Sequence, residues 1–272
     1  MPLAAFRKHD HVDKTAVSQR LIDAGVPGQF HEEILEAMPA DAVGVVLYGS
    51  VARGDISAAS DIDLLVISDD HETTRAVGRA NVTIYDEDQF RSAAGTLYGM
   101  HIARDGVVLH DSGDISGTIA TFGDVEVRRV QRRLSQLAML MELPDGALRS
   151  HLPGFIRHAR YVLRTATYLA ALEEGKPCFS VSELAERAGD PELVALLSSH
   201  LSVQGEPTWE VLMELRQRVR EQAASERAIE FETLADAIVG YAQILPDVSD
   251  SGILILNRRS SDPYAVIPRV IL

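Results

Sequence analysis

The chain is expected to be of the α+β class. Residues 1–115 should form a small mixed β-sheet with helices packed on it, residues 120–246 an α-helical bundle, and residues 247–272 a β-like C-terminal tail. Three observations carry this reading. Short apolar runs alternate with polar breaks in the first hundred residues, and helical spacing runs almost without interruption from about Gly123 to Leu245. Between them Asp111–Gly117 is rich in Gly, Ser and Asp, the composition of a boundary.

Lys14–Ala24 has Val17, Leu21 and Ile22 on one side, which predicts a helix. Pro27 can open a second, with Phe30, Ile34, Leu35 and Met38 as its apolar face. Strands follow at Val43–Tyr48 and Asp61–Ile67, and Asp69–Thr74 reads as a loop. A third strand is predicted at Asn81–Tyr85, helices at Glu87–Ala94 and Leu97–Ala103, and a last short strand from Val107 ending at His110-Asp111. The bundle helices are expected at Val125–Leu143, Leu148–Glu174, Ser182–Ala188 with Ser182 as N-cap, Pro191–Leu201, Thr208–Ser225 and Phe231–Leu245. In the tail, Gly252–Leu256 and Tyr264–Leu272 are apolar and β-like. They could form a hairpin, add a strand to a neighbouring sheet, make a homodimer contact, or pack on their own core.

A net charge of −14 argues against a protein that coats nucleic acid non-specifically, without excluding a local basic site. One cysteine, Cys178, leaves no internal disulfide framework and no cysteine-based zinc site. The opening MPLAAFRKHDHVDK lacks an apolar core long enough for a signal peptide, and no apolar run approaches a membrane span. A cytoplasmic protein with no membrane partner is expected.

The chemistry concentrates in Gly49-Ser50-Val51-Ala52-Arg53-Gly54-Asp55 and Ser60-Asp61-Ile62-Asp63-Leu64-Leu65-Val66. Alternate residues of a strand share a face, so Asp61 and Asp63 point the same way. Two carboxylates side by side in an apolar strand repel each other and lose hydration, a cost that a divalent cation would offset. Hard cations such as Mg²⁺ take oxygen ligands and commonly accompany phosphates. Gly49 lets backbone approach a ligand closely, Ser50 sits at the start of a following helix, and Arg53 adds a guanidinium suited to a triphosphate oxygen. The same Arg53 is equally suited to a salt bridge with Asp55 or a neighbouring carboxylate. No Gly-Lys-Ser/Thr follows the glycine, so this is not a Walker loop.

Gly-Ser, Ala-Arg-Gly, the serine before the first aspartate and both aspartates resemble the nucleotidyltransferases of the DNA polymerase β-like superfamily, of the minimal and antibiotic nucleotidyltransferase type with a C-terminal helical domain. The resemblance implies transfer of a nucleoside monophosphate from a nucleoside triphosphate such as ATP to an acceptor hydroxyl, with release of pyrophosphate. It implies Asp61 and Asp63 as catalytic, Mg²⁺-binding residues, two ions being usual, and Gly49, Ser50, Arg53 and Ser60 at the nucleotide. The acceptor, whether antibiotic, RNA end or protein, and the base of the nucleotide are left open. The superfamily usually has a third acid on the next strand, where this chain has Asn81 or Thr83, with Asp86, Glu87 and Asp88 just beyond. An acid of the helical part, Glu142, Glu173 or Glu174, is one substitute. A weaker second metal site is another, and a catalytically impaired nucleotide-binding regulator or toxin–antitoxin component is the third reading. Arg128, Arg129, Arg132, Arg133, Arg149, Arg157, Arg160 and Arg164 could meet an RNA acceptor or pair with acids of adjacent helices.

Overall fold

The computed structural model describes residues 12–56, 60–68, 75–197, 207–223 and 230–256. It divides into two compact units, the first reaching Val125 and the second starting at Glu126. In the first, helices α1 (Lys14–Asp23) and α2 (His31–Ala37) precede β1 (Gly44–Tyr48), α3 (Gly49–Arg53) and β2 (Ile62–Ile67). Then come β3 (Arg75–Val77), β4 (Ala80–Tyr85), α4 (Glu87–Ser92), α5 (Leu97–Asp105), β5 (Val107–Asp111) and α6 (Ile115–Ala120).

The five strands lie in the order β3-β4-β2-β1-β5. β1 runs antiparallel to β2 and β5, β2 parallel to β4, and β3 antiparallel to β4, so the sheet is mixed. The pleat sorts the side chains of the central strands onto two faces. Val45, Leu47, Leu64, Val66, Val82 and Ile84 pack with Val17, Leu21, Phe30 and Ile34 of the N-terminal segment. Val46, Tyr48, Leu65, Ile67 and Tyr85 pack on the opposite side with Phe90, Ile102, Ile115 and Phe122. Both faces are therefore covered, which is why β1 and β2 read as nearly continuous apolar runs rather than alternating ones.

The structure departs from the sequence reading at two places here. β3 (Arg75–Val77) had not been expected: it is a three-residue edge strand, too short to show a period. Asp111–Gly117 is built into the first unit rather than forming an open linker. The Asp111 carboxylate accepts from the backbone N–H groups of Ile115 and Ser116, and Ile115 is fully buried. A Cβ on Gly44 would lie 2.3 Å from Ile115 Cγ1, so the glycine opening β1 makes room for α6.

The second unit contains α7 (Val127–Ala138), α8 (Asp145–Ser150), α9 (Leu152–Glu173), α10 (Val181–Ala188) and α11 (Glu192–Leu197). After them come α12 (Trp209–Gln222), α13 (Leu234–Tyr241) and α14 (Pro246–Leu256). α9 is its axis, contacting α7, α8, α10, α11, α12 and α14. It is buried around much of its circumference, as a central helix must be. The run expected as one helix over Leu148–Glu174 is broken at His151 (φ −131°), and Pro153, in the first turn of α9, has no N–H to donate to the Arg149 carbonyl. Ser180 rather than Ser182 caps α10, accepting from the Glu183 N–H.

The largest correction concerns Gly252–Leu256, expected to be β-like and found as the last turns of α14. Pro246 and Asp247 open this helix, and glycines allow close approach: a Cβ on Gly154 of α9 would lie 2.2 Å from the Ile255 carbonyl oxygen, and one on Gly252 2.6 Å from Ile238 Cγ1. The Ser249 hydroxyl also donates to the Ile238 carbonyl. Packing against α9 and α13 overrides the β-propensity of Ile253-Leu254-Ile255. Tyr264–Leu272, and with it the expected dimer contact, lies outside the described residues.

Candidate active site

β1 ends at Tyr48, and the chain turns at Gly49 with φ +76°, in the left-handed region that favours glycine. α3 follows for five residues and is closed by Gly54, again left-handed at φ +79°. Register places Tyr48 of β1 beside Asp63 of β2, and Asp63 beside Asn81 of β4. The three side chains therefore lie in a row on one face of the sheet. A Cβ on Gly49 would stand 2.3 Å from Asp63 Oδ2. The carboxylate fills the space that any other side chain at 49 would need, which couples the Gly49-Ser50 turn to the Asp61/Asp63 strand by direct contact.

Asp61 immediately precedes β2, where its charge acts on Arg79, and Asp63 is the second residue of the strand; both are half-buried. Ser60 before them is buried, at 2% exposure. The start of β2 is held from outside the motif, because the Ile62 N–H donates to the Arg79 carbonyl at 2.9 Å. Arg79 is itself anchored. Its Nη2 and Nε donate to Glu33 Oε1 at 2.7 and 3.1 Å, its backbone N–H to Glu33 Oε2 at 3.1 Å, and its guanidinium lies over the Phe30 ring. Arg79 holds the Glu33 carboxyl below the usual carboxylate range, chiefly through these side-chain hydrogen bonds.

Asn81, not Thr83, is the β4 residue beside Asp63; Thr83 pairs with Leu65 and is buried. Two of the three carboxylates beyond β4 are occupied locally. Asp86 caps α4 in a reciprocal arrangement with Gln89, and Glu87 pairs with Arg91 at 2.6 Å. In the helical unit Glu142 accepts from Arg220 and Glu173 from Gln131 at 2.6 Å. Among the described residues no group of three or more His, Cys, Asp and Glu side chains is arranged around a metal position.

Behind Asp63 lies a cluster of phenols. The Tyr48 and Tyr98 rings meet edge to face with centroids 5.7 Å apart, and Tyr85 and Tyr98 at 6.0 Å. Burial pushes the Tyr85 hydroxyl up to about 12 and Tyr98 well above its ordinary value, with Tyr48, Tyr85 and Asp63 adding to the effect at Tyr98. Tyr85 and Tyr98 therefore stay protonated at neutral pH.

Arg53 shows where its charge goes. Nε and Nη2 lie 3.4 and 3.3 Å from Asp55 Oδ2, while Nη1 lies 3.4 Å from Asp105 Oδ2 and 3.1 Å from His101 Nε2. All three nitrogens are engaged, which favours the salt-bridge reading of this residue. His101 and Asp105, one helical turn apart on α5, had not been singled out from the sequence. The available signal was a stripe, Tyr98, His101 and Asp105, at helical spacing in a segment otherwise read only for its apolar residues.

The arginines of the helical unit are largely used within it. Arg160 and Arg164 donate to the Leu196 and Leu197 carbonyls at 3.1 and 3.0 Å, and Arg133 pairs with Asp247 at 2.9 Å. Arg149 stacks on Trp209 at 3.7 Å from the ring centroid. Arg128 and Arg132 are exposed and make no ion pair among the described residues.

Residues 29–101 match the family model of the nucleotidyltransferase domain, a span that holds the Gly49 turn, Ser60, Asp61, Asp63 and Asn81 and ends at His101. A solved nucleotidyltransferase-like protein from Exiguobacterium sibiricum 255-15 is 17% identical over 76% of this chain and 74% of its own, with a TM-score of 0.26. No curated protein matches the chain. The strand, glycine turn and paired aspartates of the first unit thus all lie within the span, residues 29–101, that matches the nucleotidyltransferase domain model.

Proposed function

We propose that the first unit transfers a nucleoside monophosphate from a nucleoside triphosphate to an acceptor hydroxyl. The observation that carries this is the contact between turn and strand: Gly49 lies against the Asp63 carboxylate with no room for a Cβ, and Asp61 stands two residues before it at the entry to β2. In the reaction the acceptor oxygen bonds to the α-phosphorus as the bond to the bridging oxygen breaks. Pyrophosphate leaves with the electron pair, and the acceptor proton passes to solvent or to a base. Catalysis of this kind rests on positioning and on neutralising charge along the triphosphate.

The donor set fits a hard divalent cation such as Mg²⁺. Asp61 and Asp63 offer only oxygen, and phosphate oxygens and water would complete the shell, the company Mg²⁺ usually keeps. Such an ion, held by Asp61 and Asp63, would supply Lewis-acid stabilisation of the developing phosphate charge. The Gly49 backbone and Ser50 hydroxyl bind the triphosphate, buried Ser60 orients the aspartate loop, and Arg53 fixes α3 through its ion pairs. The chain is without a helix long and apolar enough to cross a membrane among its described residues, which is compatible with soluble acceptors.

The test is transfer of label from α-phosphate-labelled nucleoside triphosphates, with Mg²⁺ or Mn²⁺, into a fractionated lysate. The control is the double variant Asp61→Ala/Asp63→Ala. Aspartate-dependent label in RNA, protein or small molecules establishes transfer and identifies the acceptor class. Asn81 beside Asp63 favours one other reading, a nucleotide-binding regulator. That reading predicts aspartate-dependent nucleotide binding with no label transferred.

A further inference from the structure

We infer that His101 is a positioning residue for the Gly49-Ser50 turn, joining Arg53 of α3 to Tyr48 of β1 and so fixing α3 from the side of α5. Its part in nucleotide transfer rests on the function proposed above. Its part in ordering the turn does not.

The geometry is a bracket around the turn. Tyr48 immediately precedes Gly49, and its ring meets the His101 ring edge-on, with centroids 5.6 Å apart and planes at 87°. Arg53 closes α3, and its Nη1 lies 3.1 Å from His101 Nε2. One side chain thus touches both ends of the segment 48–53, which carries Gly49 and Ser50. Because Tyr48 also stands beside Asp63 in the sheet, the bracket refers the turn to the strand that bears the carboxylates.

The chemistry defines the state of the ring. An arginine only donates, so Nε2 must accept, and the ring proton sits on Nδ1. Burial, then Arg53 and Arg104, push His101 down to about 3, so the neutral acceptor form holds throughout the neutral range. Asp105 Oδ2 lies 3.6 Å from Nε2, too far for a hydrogen bond, but 3.4 Å from Arg53 Nη1 and on the same helix face. Asp105 therefore balances the arginine charge while His101 directs it. An arginine bound only to Asp55 would be tied within its own loop; His101 and Asp105 tie it to α5.

Two substitutions separate the parts of this role. His101→Phe keeps a ring against Tyr48 and removes the acceptor, whereas His101→Gln restores an acceptor oxygen. Amide hydrogen exchange is read at residues 49–54 and, for reference, across β2. Equilibrium dialysis with each of the four nucleoside triphosphates and Mg²⁺ gives the dissociation constant. For His101→Phe the exchange rate at 49–54 should rise about tenfold with β2 unchanged, and the nucleotide affinity should fall about tenfold, the weight of one hydrogen bond to a charged group. His101→Gln should recover part of both. Asp105→Asn, which leaves the ring in place, should move both readouts in the same direction and by less. Unchanged exchange at 49–54 in His101→Phe overturns the inference, as does an equal rise across β2, which marks a general packing role. If the wild-type protein binds no nucleotide while exchange at 49–54 still rises in His101→Phe, the proposed function fails and the positioning role stands.

Discussion

Gly49→Ala is the sharpest perturbation of this site, because it acts at one backbone position through two separable costs. Alanine at φ +76° sits in the left-handed region, which costs roughly 1–3 kcal/mol. The new methyl would also stand 2.3 Å from Asp63 Oδ2, so the carboxylate must retreat by about 1 Å to reach ordinary contact. A displacement of that size at a reacting centre is worth on the order of 10²-fold in rate. Gly54→Ala is the matched control. It meets the same backbone strain at φ +79°, but its Cβ finds nothing within 4 Å. Both variants should lose about 1 kcal/mol or more of stability by urea titration, a few degrees in melting temperature. Only Gly49→Ala should also lose aspartate-dependent transfer in the labelled-nucleotide assay. Equal activities for the two variants would show that the close approach of residue 49 to Asp63 has no part in the chemistry.

Three further outcomes follow from the contacts described. Glu33 is held below the usual carboxylate range by Arg79, so its pairing stabilises the fold above the ordinary carboxylate pKa and is lost as pH falls through the depressed value. Glu33→Gln should therefore lower the urea midpoint near pH 7 and converge on wild type only as pH falls below the depressed Glu33 value; a gap independent of pH would refute the pairing. Asn81→Asp sets a third carboxylate beside Asp63, and like-charge repulsion should lower the melting temperature by roughly 2–4 °C per kcal/mol in metal-free buffer, with Mg²⁺ restoring it more than it raises wild type. If Mg²⁺ raises both proteins equally, Asp63 does not face the cation. Gly154→Ala would push a methyl to 2.2 Å from the Ile255 carbonyl, a backbone atom with little freedom to move, and should destabilise the helical unit by about 1–3 kcal/mol in urea unfolding; an unchanged midpoint would remove close α9–α14 contact as the reason for the glycine.

What could be read in advance was local. Strand alternation alone predicts one face for Asp61 and Asp63, and the glycine before Ser50 announces a turn whose φ the structure finds at +76°. The α+β division of the chain was equally legible, since the strands near 43–48, 62–67 and 81–85 and the long helix over 152–173 are strongly patterned. Edge and end features were not. β3 is three residues long, and the β-branched run in α14 is helical because Gly154 of α9 and Gly252 of α14 itself let it pack closely on α9 and α13.

The sequence by itself determined that this chain has a glycine turn and a paired-aspartate strand, because both are set by steric and periodic rules acting over a few residues. Only the tertiary structure decided what surrounds them. The parallel pairing of β2 with β4 makes Asn81 the neighbour of Asp63. The packing of α5 on the sheet brings His101 and Asp105 to Arg53 across separations of 48 and 52 residues. Contacts at that range depend on how whole elements dock. No local propensity encodes such docking, because it is the burial of both sheet faces that selects it.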